Sequence, residues 1–299
     1  LKQDLLLKTD ITEDDKVLID KQYIGKLKGL KFNIELTSNS LDSDVKSIKK
    51  AARKGIHEEL QKRVDKIIKG KNVFLENDGK IYWKDNPIAK IKKGNDYLNP
   101  EIELIADDAL SLGSGKNLEI FLKSWLDAHI NDSLKDLLNL TKVRSNNKYL
   151  RALMFQIYEN NGVVKREAVD QIIKSIVKED RKEIWGMGIK IGRYHVYLPK
   201  MLKPKAVTLR INLWRLFYNT NLNNQIPQFG LNFLIDKNYN KKFLLICGFE
   251  KFKDFFVRID ILEKLFINIL DKTSDRKFKI TSEMMNLLGC TKENFHKLM

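Results

Sequence analysis

Cysteine is almost missing from this 299-residue chain, with Cys247 and Cys290 the only two. Each lies in an apolar stretch, LLICGF or NLLGC, without a CxxC spacing. That excludes a disulfide framework and makes buried, reduced thiols the expectation. Histidine is scarce as well. His57, His129, His195 and His296 are scattered, so no HxxxH or HExxH pair exists, and no metal site is expected. No apolar run approaches the ~18 residues that a membrane-spanning helix needs. The first residues, LKQDLLLKTD, have neither an initiator Met nor the apolar segment and small-residue cleavage site of an exported chain. The expectation is a soluble, cytoplasmic fragment of a longer protein that meets no membrane.

Acid is also in deficit. Against 55 Lys and Arg there are 39 Asp and Glu, a net charge of +16 with a pI near 9.5. Such a balance favours a polyanionic partner, nucleic acid before a membrane surface. Only 11 of the cations are arginine, however, and Asn and Ile are abundant, a pattern that an AT-rich coding sequence also produces. The string LGSGKNL at 112–118 looks like the end of a phosphate-binding loop. Leu110 stands where the loop's first glycine belongs and Asn117 where a metal-binding hydroxyl belongs. Gly113 to Lys116 therefore reads as a lead-in to a helix starting near Asn117.

A mixed α+β fold, mostly helical, follows from the periodicity. KVLIDKQYIGKLKG (16–29) and KIYWKDNPIAKIKK (80–93) align without a gap at a spacing of 64. Both read as β-hairpins, each followed by another strand-like piece, LKFNIEL or EIELI. A helix at about 44–69 carries Ile48, Ala52, Ile56, Leu60, Val64 and Ile67 on one stripe. A second, beginning near Asn117, carries Leu118, Phe121, Trp125, Ala128, Leu134 and Leu138. Residues 1–141 are thus expected to hold two small hairpin-plus-helix units. Residues 142–299 are expected to form a helical domain with a basic strand at 188–205, a hairpin at 242–258 and a terminal pair of helices. Its stripes are Leu150, Met154, Ile157 and Tyr158; Val164, Ala168, Ile172 and Ile176; and Leu262, Leu265, Phe266, Ile269 and Leu270. Thr281 and Thr291 are placed as N-caps of the terminal pair, which reads as a helix-turn-helix whose main role is packing, the other reading being a DNA reader with Lys292, Glu293, Asn294 and His296 near the start of its second helix.

The stretch GIKIGRYHVYLPKMLKPKAVTLR (188–210) contains no acid. Its cations are Lys190, Arg193, Lys200, Lys203, Lys205 and Arg210, interleaved with Tyr194, His195 and Tyr197. Cations along an extended segment can follow a phosphodiester backbone and aromatic faces can stack bases. These nine residues are the candidate contacts for single-stranded nucleic acid. The other reading of the same residues is packing for the aromatic ones and solubility for the lysines.

The strings GIKIGRYHVYLPKMLKP, GKIYWKDNPIAKI, FLKSWLDAHI, VRIDILEKL and ITSEMMNLLGCTKENF together resemble the C-terminal half of bacterial DExH-box helicases related to the RNA helicase of the mitochondrial degradosome. The likeness runs in order over nearly the whole chain. It implies an accessory region of an ATP-driven helicase whose ATP and Mg²⁺ bind to motor domains N-terminal to these residues. No cofactor and no catalytic residue are then expected within this chain. Single-stranded nucleic acid, RNA before DNA, is the partner that the resemblance implies. The alternative is a docking module that recruits a protein such as a ribonuclease. An independent enzyme finds no support, since no nucleophile stands beside a base and no acid pair or metal cluster is evident.

Overall fold

The computed structural model describes residues 9–35, 42–218, 225–274 and 277–299. They form a mixed α+β fold that divides into two compact units at Ala128/His129.

In the first unit, β1 (Thr9–Ile11), β2 (Lys16–Ile19), β3 (Gln22–Lys28) and β4 (Lys31–Ile34) make an antiparallel meander followed by the helix α1 (Asp42–Gly70). The plan then recurs as β5 (Val73–Leu75), β6 (Lys80–Trp83), β7 (Asn86–Asp96) and β8 (Asn99–Leu104), followed by α2 (Leu112–Ser133). Agreement extends to the register. Lys16 faces Lys26 and Lys80 faces Lys90, and both sheets have an irregularity at the next pair, after Val17 and after Ile81. Asp15 (φ 66°) is matched by Gly79 (φ 75°) in the left-handed region, and their carbonyls accept the amides of Leu27 and Ile91. Each of these pairs lies 64 residues apart.

The α1 stripe is buried at Ala52, Ile56, Leu60, Val64 and Ile67, as its spacing of three and four residues requires. Ile48 falls outside the residues whose side chains are described. Helix α2 begins at Leu112, earlier than Asn117, because the Ser111 hydroxyl accepts the Ser114 amide at 3.1 Å and caps it. Gly113 to Lys116 are thus its first turn. Its buried face is Leu118, Leu122, Leu126 and Ile130, whereas Phe121 and Trp125 are only partly covered and Ala128 is exposed. The unbroken i, i+4 series of aliphatic residues sets that face.

The second unit contains α3 (Lys135–Lys142), α4 (Lys148–Glu159), β9 (Val163–Lys165), α5 (Arg166–Lys174), α6 (Arg181–Gly186), β10 (Lys190–Ile191) and β11 (His195–Tyr197). A 3₁₀ turn (Pro199–Leu202) leads to α7 (Pro204–Tyr218), β12 (Phe233–Ile235), α8 (Lys241–Ile246), β13 (Phe249–Phe252), β14 (Phe255–Arg258) and α9 (Ile259–Asp271). The short strands β15 (Thr273–Ser274) and β16 (Lys277–Phe278) and the helices α10 (Ser282–Leu288) and α11 (Lys292–Leu298) complete the chain.

A second repeat is built into this unit. Its two three-stranded sheets have the orders β9-β11-β10 and β12-β14-β13, with the first strand beside the last in each. Lys190 faces Tyr197 in one hairpin and Glu250 faces Val257 in the other, a spacing of 60. The same spacing relates α6 to α8, and Gly188 (φ 76°) to Gly248 (φ 89°). The first strands, starting at 163 and 233, lie 70 apart; α5 has no counterpart in the second motif.

Three expectations are corrected. Residues 188–205 do not run extended: two short strands are followed by a 3₁₀ turn, and α7 already starts at Pro204, which is suited to a first helical turn. The hairpin expected at 242–258 is a helix in its first part, since Asn240 caps the Phe243 amide at 3.1 Å and Gly248 ends the turn. In α5 the buried residues are Val169 and Ile173, with Ala168 exposed, and in α9 Leu270 is exposed while Ile261 is buried. The terminal helices pack Met284, Leu288 and Phe295 against Ile261, Leu262, Leu265 and Ile269 of α9. Gly289 (φ 69°) turns the chain between them, and Thr291 caps the Asn294 amide at 3.3 Å. Thr281 stands at the N-cap position of α10 without making a side-chain cap.

Candidate nucleic-acid interface

The β10–β11 hairpin projects Gly192, Arg193 and Tyr194 at its tip. What fixes the tip is a carboxylate from α9. Glu263, only 3% exposed, accepts the amides of Arg193 (2.5 Å), Tyr194 (2.9 Å) and His195 (2.9 Å). A Cβ on Gly192 would stand 2.4 Å from the Glu263 carboxyl carbon, so a side chain there and this acid exclude each other. His195 Nε2 meets Glu250 of β13 at 2.9 Å, and Nδ1 lies 3.6 Å from Glu263, beyond hydrogen-bond length. Burial disfavours a charge on His195, but Glu250 and Glu263 together outweigh it and raise the imidazole above its ordinary 6.5. Burial likewise opposes the charge on both acids, yet each carboxyl is held below the usual range, Glu250 chiefly by its hydrogen bond to His195 and Glu263 by the nearby imidazole and the three amides it accepts.

Beside this hairpin runs a groove of about 770 Å³ between α5, the hairpin tip and β13. Its lining holds five cations, Lys165, Arg166, Lys174, Arg193 and Lys251, against the three carboxylates of Glu167, Asp170 and Glu250. Lys165 pairs with Glu250 at 3.3 Å, Arg166 and Lys174 share Asp170 at 3.5 and 2.6 Å, and Lys251 pairs with Asp236. Arg193 has no acidic partner among the described residues. Tyr194 borders the groove with its ring edge-on to Phe266 (centroids 4.3 Å apart) and is 40% exposed, leaving a face to solvent.

Of the nine sequence candidates, the groove brings together Arg193 and Tyr194, with the buried His195 behind them. Three are corrected. Tyr197 (1% exposed), His195 (2%) and Arg210 (0%) are interior and cannot touch a strand. Burial, with Asp260 and Glu263 nearby, pushes the Tyr197 hydroxyl up to about 12. Arg210 donates to the carbonyls of Asn161, Met201 and Ile246, the last at 3.0 Å. Lys190 and Lys203 are exposed without ion pairs among the described residues, Lys200 pairs with Asp136 at 3.1 Å and Lys205 with Asp132 at 2.5 Å.

Comparison with protein-family models, with curated proteins and with solved structures gives no match. The interface therefore rests on its own chemistry. Sequence reasoning missed Lys165, Arg166 and Lys174 of the β9–α5 segment and Lys251 of β13, which lie outside the basic stretch 188–210. It also passed over Glu263, although an acid within the apolar face of VRIDILEKL is a signal of a buried, satisfied carboxylate. Among the described residues no group of His, Cys, Asp and Glu could hold a metal ion, and no helix is long and apolar enough to cross a membrane.

Proposed function

We propose that this chain is the accessory C-terminal region of an ATP-dependent helicase and that its second unit holds single-stranded nucleic acid, RNA before DNA, while ATP is hydrolysed elsewhere. The observation that carries the strand-holding reading is the groove beside β10–β11, where a cation-rich lining surrounds an unpaired Arg193 and a half-exposed Tyr194. Cations that track phosphates beside an aromatic face that receives a base are the two elements of sequence-tolerant single-strand binding. The helicase part of the reading comes from the resemblance of the strings quoted above. The order α4, β9, α5, α6, β10, β11 with β9 beside β11 is also that of a winged helix-turn-helix. In such folds the helix after the turn and the hairpin wing commonly meet nucleic acid, although a fold by itself assigns no ligand.

The test is binding of single-stranded RNA and DNA oligomers across a salt series without ATP. Removing Arg193 (Arg193→Ala) flattens the slope of log affinity against log salt by about 0.7 if it meets one phosphate. Lys253, at the matching place of the second hairpin and bonded to the Lys297 carbonyl at 3.0 Å, is the control; Lys253→Ala leaves the slope unchanged. Equal slopes for wild type and Arg193→Ala defeat the groove. A docking function is favoured by one observation, the exposed Ile267 (55%) and Leu270 (53%) on one face of α9. Its signature is the absence of strand binding at low salt.

A further inference from the structure

Trp185 is 68% exposed. It belongs to α6, whose remaining apolar residue, Ile184, is fully buried, so the helix already has its anchor without Trp185. The corresponding helix of the second motif, α8, buries Phe243, Leu244 and Ile246, and Leu245, at the place of Trp185, is partly covered. The architecture therefore does not require an apolar ring in solvent at this position. A large aromatic side chain kept outside is the informative kind of exposure.

Its surroundings state what it would receive. Arg181 and Lys182 precede Trp185 by four and three residues and so share its face of α6. Both are exposed, and neither has an ion pair among the described residues. Glu183, which lies off that face, meets the Ser145 hydroxyl at 3.4 Å. Next to the ring is a notch of about 360 Å³ whose other walls include Asn139, Lys142, Gly188 and Lys200. The one acid in it, Asp136, is paired with Lys200. Gly188 shapes the floor: its φ of +76° and the 3.2 Å from an added Cβ to an Asp136 oxygen both call for glycine. The volume is at the lower end of small-ligand sites, and Asn139 offers an amide that can pair with a base edge.

We infer that Trp185 and the notch beside it form a stacking site for a base of single-stranded nucleic acid, with Arg181, Lys182 and Lys142 facing the flanking phosphates. An aromatic platform flanked by three cations, beside an Asp136–Lys200 pair that cancels its own charge, fits a polyanion that carries planar bases; an apolar protein surface would not call for that charge. The inference rests on the strand-holding reading of the second unit and adds a second contact outside the α5 groove.

Tryptophan emission of the whole chain, titrated with oligouridylate and oligothymidylate, tests it, with binding followed independently by anisotropy of a labelled strand. Base stacking quenches Trp185. Trp185→Ala weakens binding about 5- to 150-fold, and Trp185→Phe keeps most of the affinity while losing the quench. Heparin, an anion without bases, binds without quenching. Because Trp185 is exposed, both variants keep the wild-type thermal transition. Strand binding with the affinity and quench unchanged in Trp185→Ala overturns the site and leaves the groove standing. Failure of the wild-type chain to bind either oligomer at low salt overturns both.

Discussion

At the tip of the first hairpin stands Gly192 followed by Arg193, Tyr194 and His195; at the matching positions of the second stand Phe252, Lys253, Asp254 and Phe255. The two backbones pair in the same register. His195 and Phe255 are both interior, 2% and 4% exposed. Phe255 fills its place with a ring tilted against Phe233, whereas His195 fills the same place with an imidazole hydrogen-bonded to Glu250. One motif thus closes on hydrocarbon and the other on a charged clamp, and only the latter has a glycine that lets Glu263 reach three amides. The comparison teaches that the polar tip is a departure from what this scaffold needs to fold, which is why it reads as a site.

The comparison breaks hardest at Gly192. In Gly192→Ala the Cβ displaces the Glu263 carboxylate from its amides and leaves a buried charge without partners, costing about 3–5 kcal/mol. Urea unfolding measures it, and a loss under 1 kcal/mol would mean that the clamp is dispensable. Converting the first motif to the second by His195→Phe costs less, about 1–3 kcal/mol, because Glu263 keeps its amides. It also changes the pH profile. The raised imidazole stabilises fully below its unfolded value of 6.5, and this is lost as pH rises through the higher folded value. Glu250 and Glu263, lowered from 4.5, stabilise above that value and lose this as pH falls through their folded values. Wild type should therefore show its widest margin over His195→Phe between about pH 4.5 and 6.5. A margin that does not narrow as pH rises above 6.5 would argue against a charged imidazole.

The smallest effect lies in the first unit, where the two meanders differ little. Asp20 (φ 47°) and Lys21 (φ 68°) are both left-handed in the β2–β3 turn, while only Lys84 (φ 52°) is so in the β6–β7 turn. Asn-Gly at 20–21 should raise stability by up to about 1 kcal/mol. The same dipeptide at 84–85 should raise it less, and thermal melting of the two variants compares them.

The repeat of the first unit was legible because matching lysines and β-formers keep one spacing through turn and strands. The repeat of the second was not. RKEIWGMG (181–188) and KKFLLICG (241–248) fold alike, but α5 shifts their first strands by a different interval, and the residues that make the first motif polar are those that differ. Likewise, the stretch 188–210 drew attention by its charge, and Arg193 and Tyr194 do stand in a groove. Burial of Tyr197 and Arg210 was invisible because their partners are far along the chain: Asp260 and Glu263 for one, Asn161 and Ile246 for the other. Trp185 went unread because one aromatic residue in a short segment has no period.

Arg210 has a consequence for how the second unit comes apart. Modules in tandem ordinarily melt one by one, each stabilised by its nearest neighbour. Here a single interior guanidinium holds the turn after α4 through Asn161, the connection through Met201 and the end of α8 through Ile246. Neither module can open without breaking some of those bonds, so the pair should open as a single cooperative unit, and the β10–β11 hairpin should share the rigidity of both.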